Sequence, residues 1–119
     1  MKKILLIEDD NITTSIVEFI LKRYKYEVII CTDGLVGMNT IDSLLPDLVI
    51  TDLMLPNKSG IEIIKHSKNL HPDIPIIIMS VFANQTELID RFLNIKADGV
   101  LSKKFTPHEI LEMVEKNIK

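Results

Sequence analysis

Three acids, a hydroxyl and an amine follow short apolar segments at separate places in this 119-residue chain. Glu8 and Asp9 follow the first segment, and Asp52 follows another. Ser80 and Lys103 hold the corresponding positions further along. A lone Asp, Ser or Lys at such a place is more often a cap, a turn residue or a surface charge. Gathered together, these groups can bind a divalent cation and phosphoryl oxygens, which is the chemistry of phosphoryl transfer.

The apolar segments are predicted to be parallel β-strands. They are short, rich in Ile, Val and Leu, and alternate with helical patterns, as strands buried on both faces of a sheet do. Right-handed crossovers favour a doubly wound α/β fold of five βα units with the flavodoxin-like order 2-1-3-4-5. The carboxyl ends of the strands then share one crevice, where we expect the polar residues to meet. The predicted strands are 4–7, 28–31, 48–51, 76–79 and 100–102.

Five helices are predicted after the strands, from capping residues and from the helical spacing of apolar residues. The predicted caps are Asp10 or Asn11, Ser59 with Glu62, and Thr106 with Glu109. Asp33-Gly34 turns the chain into the second helix, and a polar stretch at 84–87 leads into the fourth. The residues predicted to face inward are Ile12, Ile16, Phe19 and Ile20; Leu35, Met38, Ile41 and Leu45; Leu88, Phe92 and Ile95 or Leu93; and Ile110, Met113, Val114 and Ile118.

Composition indicates one globular domain, residues 1–119, with 46% hydrophobic and 26% charged residues. A net charge of −3 gives no general reason to bind nucleic acid, and we expect no direct DNA binding. The start has too short an apolar core for a signal peptide and no segment is long enough to span a membrane, so a cytoplasmic protein is expected. The single cysteine, Cys31, is predicted to be a buried strand residue.

Four segments of the chain resemble the receiver domain of two-component response regulators, the chemotaxis-regulator-like family. Each would be weak evidence alone, but they follow one another at the family's spacing over the whole chain. The segments are ILLIEDD at the start, PDLVITDLMLPNKSGIE around Asp52, PIIIMS, and Lys103 with Phe105 in LSKKFTP.

The resemblance implies a role for each candidate residue. Asp52 is expected to be the phosphate acceptor, Glu8 and Asp9 the acidic pair that binds Mg²⁺, Ser80 the switch hydroxyl, and Lys103 the phosphate-binding lysine. Direct ligation is expected from Asp9, Asp52 and the main-chain carbonyl of Met54, with Glu8 acting through water. Two carboxylates 4–5 Å apart repel by roughly 3–4 kcal/mol at an effective dielectric near 20, so a cation is needed among them.

The resemblance also implies partners and a limited activity. A histidine kinase or phosphotransfer protein is expected to supply the phosphoryl group, and an effector domain or protein to receive the signal. The chain would not be an enzyme beyond its own phosphoryl transfer and autodephosphorylation. Dimerisation through the face of the fourth predicted helix, fifth strand and fifth helix is possible in this family.

Three positions depart from the family pattern. Lys104 stands where receivers usually have a proline in a cis bond, and a cis bond without proline costs ~2.5–4 kcal/mol, so we predict a trans bond. Val100 replaces a switch Tyr or Phe, which removes an aromatic relay. Val81 replaces a small residue after the hydroxyl, and its β-branched side chain could narrow access to Asp52. The chemistry is expected to survive, while output coupling is in question.

The sequence also supports expectations for its three histidines and for two apolar residues near the candidate site. His66, His71 and His108 are expected to pair with no carboxylate and to have no catalytic role, whereas Met54 and Phe82 could shield the phosphoryl group from water. A degenerate receiver that serves as an interaction scaffold is the main alternative function. A flavodoxin-like cofactor binder would not have acids after its first strand, and an aspartate-based phosphohydrolase would have its nucleophile there.

Overall fold

The computed structural model of the chain describes residues 1–81 and 96–119. In them a parallel sheet has the order β2-β1-β3-β4-β5, which confirms the predicted fold. The predicted inward-facing residues of the fourth predicted helix, Leu88, Phe92 and Ile95 or Leu93, lie outside the described residues, and so do the polar stretch 84–87 and Phe82. The strands are β1 (Lys3–Ile7), β2 (Glu27–Cys31), β3 (Leu48–Asp52), β4 (Ile76–Ser80) and β5 (Gly99–Ser102).

Helices cover both faces of the sheet. Helices α1 (Asn11–Arg23) and α4 (Pro107–Asn117) pack on one face, and α2 (Gly34–Leu44) and α3 (Gly60–Leu70) pack on the other. Successive strand side chains point to opposite faces, so Ile4 and Leu6 contact the first layer while Leu5 and Ile7 contact the second. Each of these fully buried side chains stabilises the fold by roughly 1.5–3 kcal/mol. No helix among the described residues is long and apolar enough to cross a membrane.

The helices begin where their caps predict. Asp10, Asp33, Ser59 and Thr106 each accept a hydrogen bond from a backbone N–H of the first turn. At α4 the capping box is complete, because Glu109 also accepts from the Thr106 N–H at 2.8 Å. At α3 only the bond from the Glu62 N–H to Ser59 is present.

The predicted inward face of α1 is wrong. Ile12, Ile16 and Phe19 are exposed, by 71%, 48% and 64%, and only Ile20 of the predicted set is buried. The buried residues are Thr14, Val17, Ile20 and Leu21. The helix carries two overlapping apolar stripes, and the spacing alone does not tell which one packs on the sheet. The exposed Phe19 ring supports the Arg23 guanidinium instead, 5.5 Å from its centroid.

The faces of α2 and α4 are predicted in part. Ile41 of α2 is buried and Met38 packs against it from the side, but Leu35 and Leu45 are exposed. Leu45 lies just past the helix end with a left-handed φ of 50°. In α4, Ile110 and Val114 are buried, and Met113 and Ile118 pack against the core at its edge.

Candidate functional site

Asp52 ends β3 and is almost fully buried. Its side chain is 9% exposed, and its Oδ1 accepts hydrogen bonds from the Leu53 N–H at 2.7 Å and the Met54 N–H at 3.5 Å. The Gly60 N–H then bonds to the Leu53 carbonyl at 2.8 Å, which folds the loop back on the strand end. These contacts fix the orientation of Oδ1, while Oδ2 accepts a hydrogen bond from the Lys103 ammonium. Met54 is 74% exposed and lines the cavity beside Asp52.

Glu8 and Asp9 reach the same place from β1. Parallel pairing sets Ile7 beside Thr51, so the residues that follow each strand are neighbours. Glu8 is fully buried, and its Oε2 accepts from the N–H groups of Asp9 at 3.0 Å and Asp10 at 3.2 Å. Asp9 is exposed. The first strand thus contributes one buried and one solvent-facing carboxylate.

The three acids form a donor set that fits a hard cation. One oxygen from each of Glu8, Asp9 and Asp52 lies within 4.8 Å of the others. Burial raises the pKa of Glu8, and the negative charge of Asp52 raises it further. The hydrogen bonds from Lys103 and the Asp10 N–H lower this pKa but do not outweigh burial. Glu8 Oε1 is buried, and its contact among the described residues is the ionic one with the Lys103 ammonium at 2.8 Å. A set of ligands made only of oxygen atoms is the kind that Mg²⁺ prefers.

Lys103, which follows β5, supplies the positive charge among these acids. Its Nζ lies 2.8 Å from Asp52 Oδ2, where it donates a hydrogen bond, and 2.8 Å from Glu8 Oε1, where the contact is ionic. Burial alone would lower the pKa of Lys103, but the bonds to Asp52 and Glu8 outweigh burial and raise it. The bond from Lys103 to Lys104 is trans, as predicted, since the described residues contain no cis peptide bond.

Ser80 and Val81 form the wall opposite the loop. Ser80 is buried at the end of β4, and its carbonyl accepts a hydrogen bond from the Lys103 N–H at 3.2 Å. Ser80, Val81 and Lys103 line a cavity of about 230 Å³ beside Asp52. Val81 is 65% exposed at its mouth, where a smaller side chain would leave more room. Val100, in place of an aromatic ring, is half-buried against the α2–α3 layer.

A second set of residues positions the loop that follows Asp52, and the sequence did not reveal it. Asp33 caps α2 and also accepts a hydrogen bond from the Asn57 side chain. The Gly34 N–H bonds to the Pro56 carbonyl at 2.9 Å. Asn57 has a left-handed φ of 67°, a conformation that Asn tolerates better than most residues. The Pro-Asn turn was the available signal, but its partner across the fold was not predictable.

The expectation that His66, His71 and His108 pair with no carboxylate is wrong. His66 Nε2 lies 2.9 Å from Asp42 Oδ2, and His71 Nε2 lies 2.8 Å from Asp42 Oδ1. These residues are far apart in sequence and meet only because α2 and α3 pack side by side. His108 contacts Glu112 at 3.3 Å within exposed α4. Cys31 is buried, as predicted.

Comparison with known proteins finds relatives that align with nearly the whole of this chain. The alkaline phosphatase synthesis transcriptional regulatory protein PhoP of Bacillus subtilis is 31% identical over 111 residues, 92% of this chain and 45% of that protein. The phosphate regulon transcriptional regulatory protein PhoB of Escherichia coli is 29% identical over 116 residues, 96% of this chain and 50% of that protein. The chain thus spans about half the length of these curated relatives.

A solved structure of a response regulator has the same fold as this chain. The response regulator protein TrrA of Thermotoga maritima, in complex with Mg²⁺-BeF, superposes with a TM-score of 0.87 at 25% identity, covering 99% of this chain and 100% of that one. The family model described as the response regulator receiver domain matches residues 4–115. The chain therefore belongs to the response regulator receiver domain family of two-component systems.

Proposed function

We propose that this chain takes a phosphoryl group from the phosphohistidine of a histidine kinase or phosphotransfer protein onto Asp52. The observation that carries the proposal is the joint placement of Asp52, two further carboxylates and the Lys103 ammonium. Asp52 has one oxygen fixed by backbone N–H groups and the other 2.8 Å from Lys103. Phosphoryl transfer needs little more than such positioning and charge.

Each residue has a separate part in the transfer. An Asp52 oxygen attacks phosphorus, and the phosphorus–nitrogen bond breaks with its electron pair staying on the donor imidazole. Lys103 turns from the carboxylate to a phosphoryl oxygen, and the Ser80 hydroxyl donates to another. Glu8, Asp9, Asp52 and the Met54 carbonyl would hold Mg²⁺, which when bound offsets the charge of carboxylates and phosphoryl oxygens. Water later breaks the new phosphorus–oxygen bond and restores Asp52.

The phosphorylated chain would signal by favouring one of two conformations. Reversing a 1:99 population requires about 5.5 kcal/mol of differential interaction, which the new bonds of Ser80 and Lys103 to the phosphoryl group could supply together. The chain would act on no separate substrate, and its signal would pass to an effector domain or protein. The curated relatives PhoP and PhoB are transcriptional regulatory proteins. A cytoplasmic location, and dimerisation through β5, α4 and the fourth predicted helix, belong to the same proposal.

The alternative is a receiver that serves as a scaffold without phosphorylation. Val100, which lacks a ring, and the trans bond before Lys104 favour this alternative. Neither residue lies among the carboxylates, and the groups needed for the chemistry are retained. We therefore place the scaffold second.

Treatment with a small acyl phosphate tests the proposal. Wild type with Mg²⁺ should gain the mass of one phosphoryl group, whereas Asp52→Asn with Mg²⁺ and wild type with chelator should not. Asp10→Asn is the matched control, because Asp10 adjoins the acidic pair but caps α1. An unmodified wild type would support the scaffold, and a modified Asp52→Asn would place the acceptor elsewhere.

A further inference from the structure

The loop between β3 and α3, residues 53–59, is anchored to the rest of the molecule at two places. The inner anchor lies at the phosphoacceptor. There Asp52 Oδ1 accepts from the N–H groups of Leu53 and Met54, and the Leu53 carbonyl accepts from the Gly60 N–H. The outer anchor lies at the start of α2. Met54 stands between the two anchors, so its main-chain orientation depends on both.

The outer anchor consists of one side-chain contact and one main-chain contact. Asp33 Oδ1 caps α2 by accepting from two N–H groups of its first turn, at 2.8 and 3.0 Å. Asp33 Oδ2 accepts from the side-chain amide of Asn57, which lies 24 positions further along the chain. The Gly34 N–H donates to the Pro56 carbonyl at 2.9 Å. One carboxylate therefore caps the helix and holds the loop at the same time.

Asn57 is suited to this contact by its backbone. Its φ of 67° lies in the left-handed region, which Asn adopts more readily than most other residues. The Lys58 N–H bonds to the Pro56 carbonyl at 2.8 Å within the same turn. The Asn57 side chain is exposed, so it contributes through the hydrogen bond to Asp33 rather than through burial.

We propose that Asp33 and Asn57 are positioning residues for Mg²⁺, because their hydrogen bond holds Met54 in the conformation that binds the ion through its carbonyl. This inference rests on the proposed function, in which the Met54 carbonyl is one of the ligands. A hydrogen bond to a carboxylate is stronger than one between neutral groups. A site that is correctly arranged in only a fraction of the molecules binds its ligand more weakly by that fraction. The start of α2 would thus set the affinity of a site to which it contributes no ligand.

Asn57→Gly tests the proposal, because glycine adopts the same left-handed φ without strain and the substitution removes the side-chain amide. By calorimetry the variant should bind Mg²⁺ about 3–10-fold more weakly than wild type. Lys25→Gly is the matched control, since Lys25 also has a φ of 67°, in the turn between α1 and β2. Its affinity for Mg²⁺ should equal that of wild type.

An exchange of the two side chains provides the rescue. Asp33→Asn combined with Asn57→Asp keeps the net charge and reverses donor and acceptor, so the hydrogen bond between the two positions can form again. Asn is as good a helix cap as Asp, so α2 should still begin at the same place. The double variant should recover most of the Mg²⁺ affinity that Asn57→Gly loses.

Two further measurements separate positioning from general damage to the fold. In the metal-free chain, amide hydrogen exchange at Met54 and Gly34 should be faster in Asn57→Gly than in wild type, while exchange at residues 4–7 of β1 stays the same. With acyl phosphate, Asn57→Gly should need about 3–10-fold more Mg²⁺ for half-maximal phosphorylation and should reach the wild-type rate at saturation.

Failure of this proposal differs from failure of the proposed function. Equal Mg²⁺ affinity and equal amide exchange in Asn57→Gly and wild type, or an exchanged pair that recovers no affinity, would overturn the positioning role and leave Asp52 as the acceptor. A wild type that acyl phosphate does not modify would instead contradict Asp52 as the acceptor, while amide exchange in the metal-free chain would still decide whether Asn57 holds the loop.

Discussion

The Lys103 ammonium lies between two carboxylates whose negative charge a metal ion would otherwise neutralise. Its ammonium lies 2.8 Å from both Glu8 and Asp52, and the backbone bond from its N–H to Ser80 fixes the start of its side chain. Removing one partner of a buried ion pair leaves the other charge uncompensated, which is strongly destabilising. Lys103 therefore stabilises the ionised forms of Glu8 and Asp52, and under the proposed function Mg²⁺ would compete with its ammonium for these carboxylates.

Lys103→Met should change metal binding and phosphorylation in opposite directions. Without the ammonium, Mg²⁺ should bind about 3–10-fold more tightly, since it no longer displaces a cation. The rate of phosphorylation should fall about 10–100-fold, because a charged hydrogen bond worth about 1.5–3 kcal/mol is lost from the transferred group. Calorimetry and mass spectrometry measure the two effects.

Lys104→Met is the control for that change. Lys104 is the exposed neighbour of Lys103, and toward the described residues its hydrogen bond is that of its backbone N–H to the Ser102 hydroxyl oxygen at 3.0 Å. It should leave both quantities near wild type. Weaker Mg²⁺ binding in Lys103→Met would contradict the competition between ammonium and ion.

The loop between β3 and α3 packs closely against two glycines, Gly60 at the start of α3 and Gly34 at the start of α2. A Cβ on Gly60 would lie 2.2 Å from the Asp52 carbonyl oxygen, and a Cβ on Gly34 would lie 1.8 Å from the Lys58 carbonyl oxygen. Both obstacles are main-chain atoms, so the loop itself would have to move. The loop that carries Met54 and Asn57 is thereby fixed against the end of β3.

Gly60→Ala should lower the free energy of unfolding by about 1–3 kcal/mol, because the added methyl group forces the strand end and the helix start apart. Gly99→Ala is the matched control: its Cβ would meet the Met113 sulfur at 2.5 Å, but that side chain can rotate away. Urea unfolding measures both variants. Equal losses in the two would show that the backbone of Asp52 does not restrict position 60.

Asp33 at the start of α2 gives a pH-dependent contribution to stability. Bonds from the Val36 N–H, the Asn57 side chain and the Leu35 N–H lower its pKa in the folded chain. A lowered folded pKa stabilises the fold above the unfolded pKa, and this contribution is lost as pH falls through the folded value.

Asp33→Asn, which caps a helix but carries no charge, isolates that contribution. Urea midpoints of wild type and Asp33→Asn should differ most at pH 7 and converge as the pH falls below the ordinary Asp range. NMR titration of the Asp33 carboxyl should show the lowered pKa directly. A difference in midpoint that is the same at pH 7 and pH 3 would contradict the assigned cause.

Sequence patterns predicted the elements better than their packing faces. Strands were predictable because Ile- and Val-rich segments end at polar residues, and helix starts because Asp33 and Thr106 bond to N–H groups a few positions away. The inward face of α1 was not, since Ile16 and Val17 belong to overlapping stripes and only the sheet selects between them. The pairing of Asp42 with His66 depends on which helices are neighbours, and local sequence carries no such information.

For the whole molecule, the proposed Mg²⁺ site at Asp52 predicts that metal binding raises the free energy of unfolding. Three carboxylates that converge in the folded chain separate on unfolding, so an ion that binds them stabilises the fold by mass action. At about 100 times its dissociation constant, Mg²⁺ should raise the free energy of unfolding by about 2.7 kcal/mol. The melting temperature should rise accordingly in wild type.

Asp9→Asn and Asp10→Asn show whether that rise comes from the proposed ligands. Asp9 contributes an oxygen to the cluster, whereas its neighbour Asp10 bonds to Thr13 at the start of α1. Thermal unfolding with and without Mg²⁺ should show a smaller rise for Asp9→Asn and a wild-type rise for Asp10→Asn. The same rise in both variants would indicate that the ion binds elsewhere.

Hydride reduction of the phosphorylated chain, followed by peptide mass mapping, tests the central claim most directly. Borohydride converts an aspartyl phosphate to homoserine and so marks the acceptor in the wild-type protein. We predict the mark on the peptide that contains residue 52, and its loss when Mg²⁺ is removed before phosphorylation. Homoserine at Asp9 or any other acid, with residue 52 unchanged, would contradict Asp52 as the phosphoacceptor.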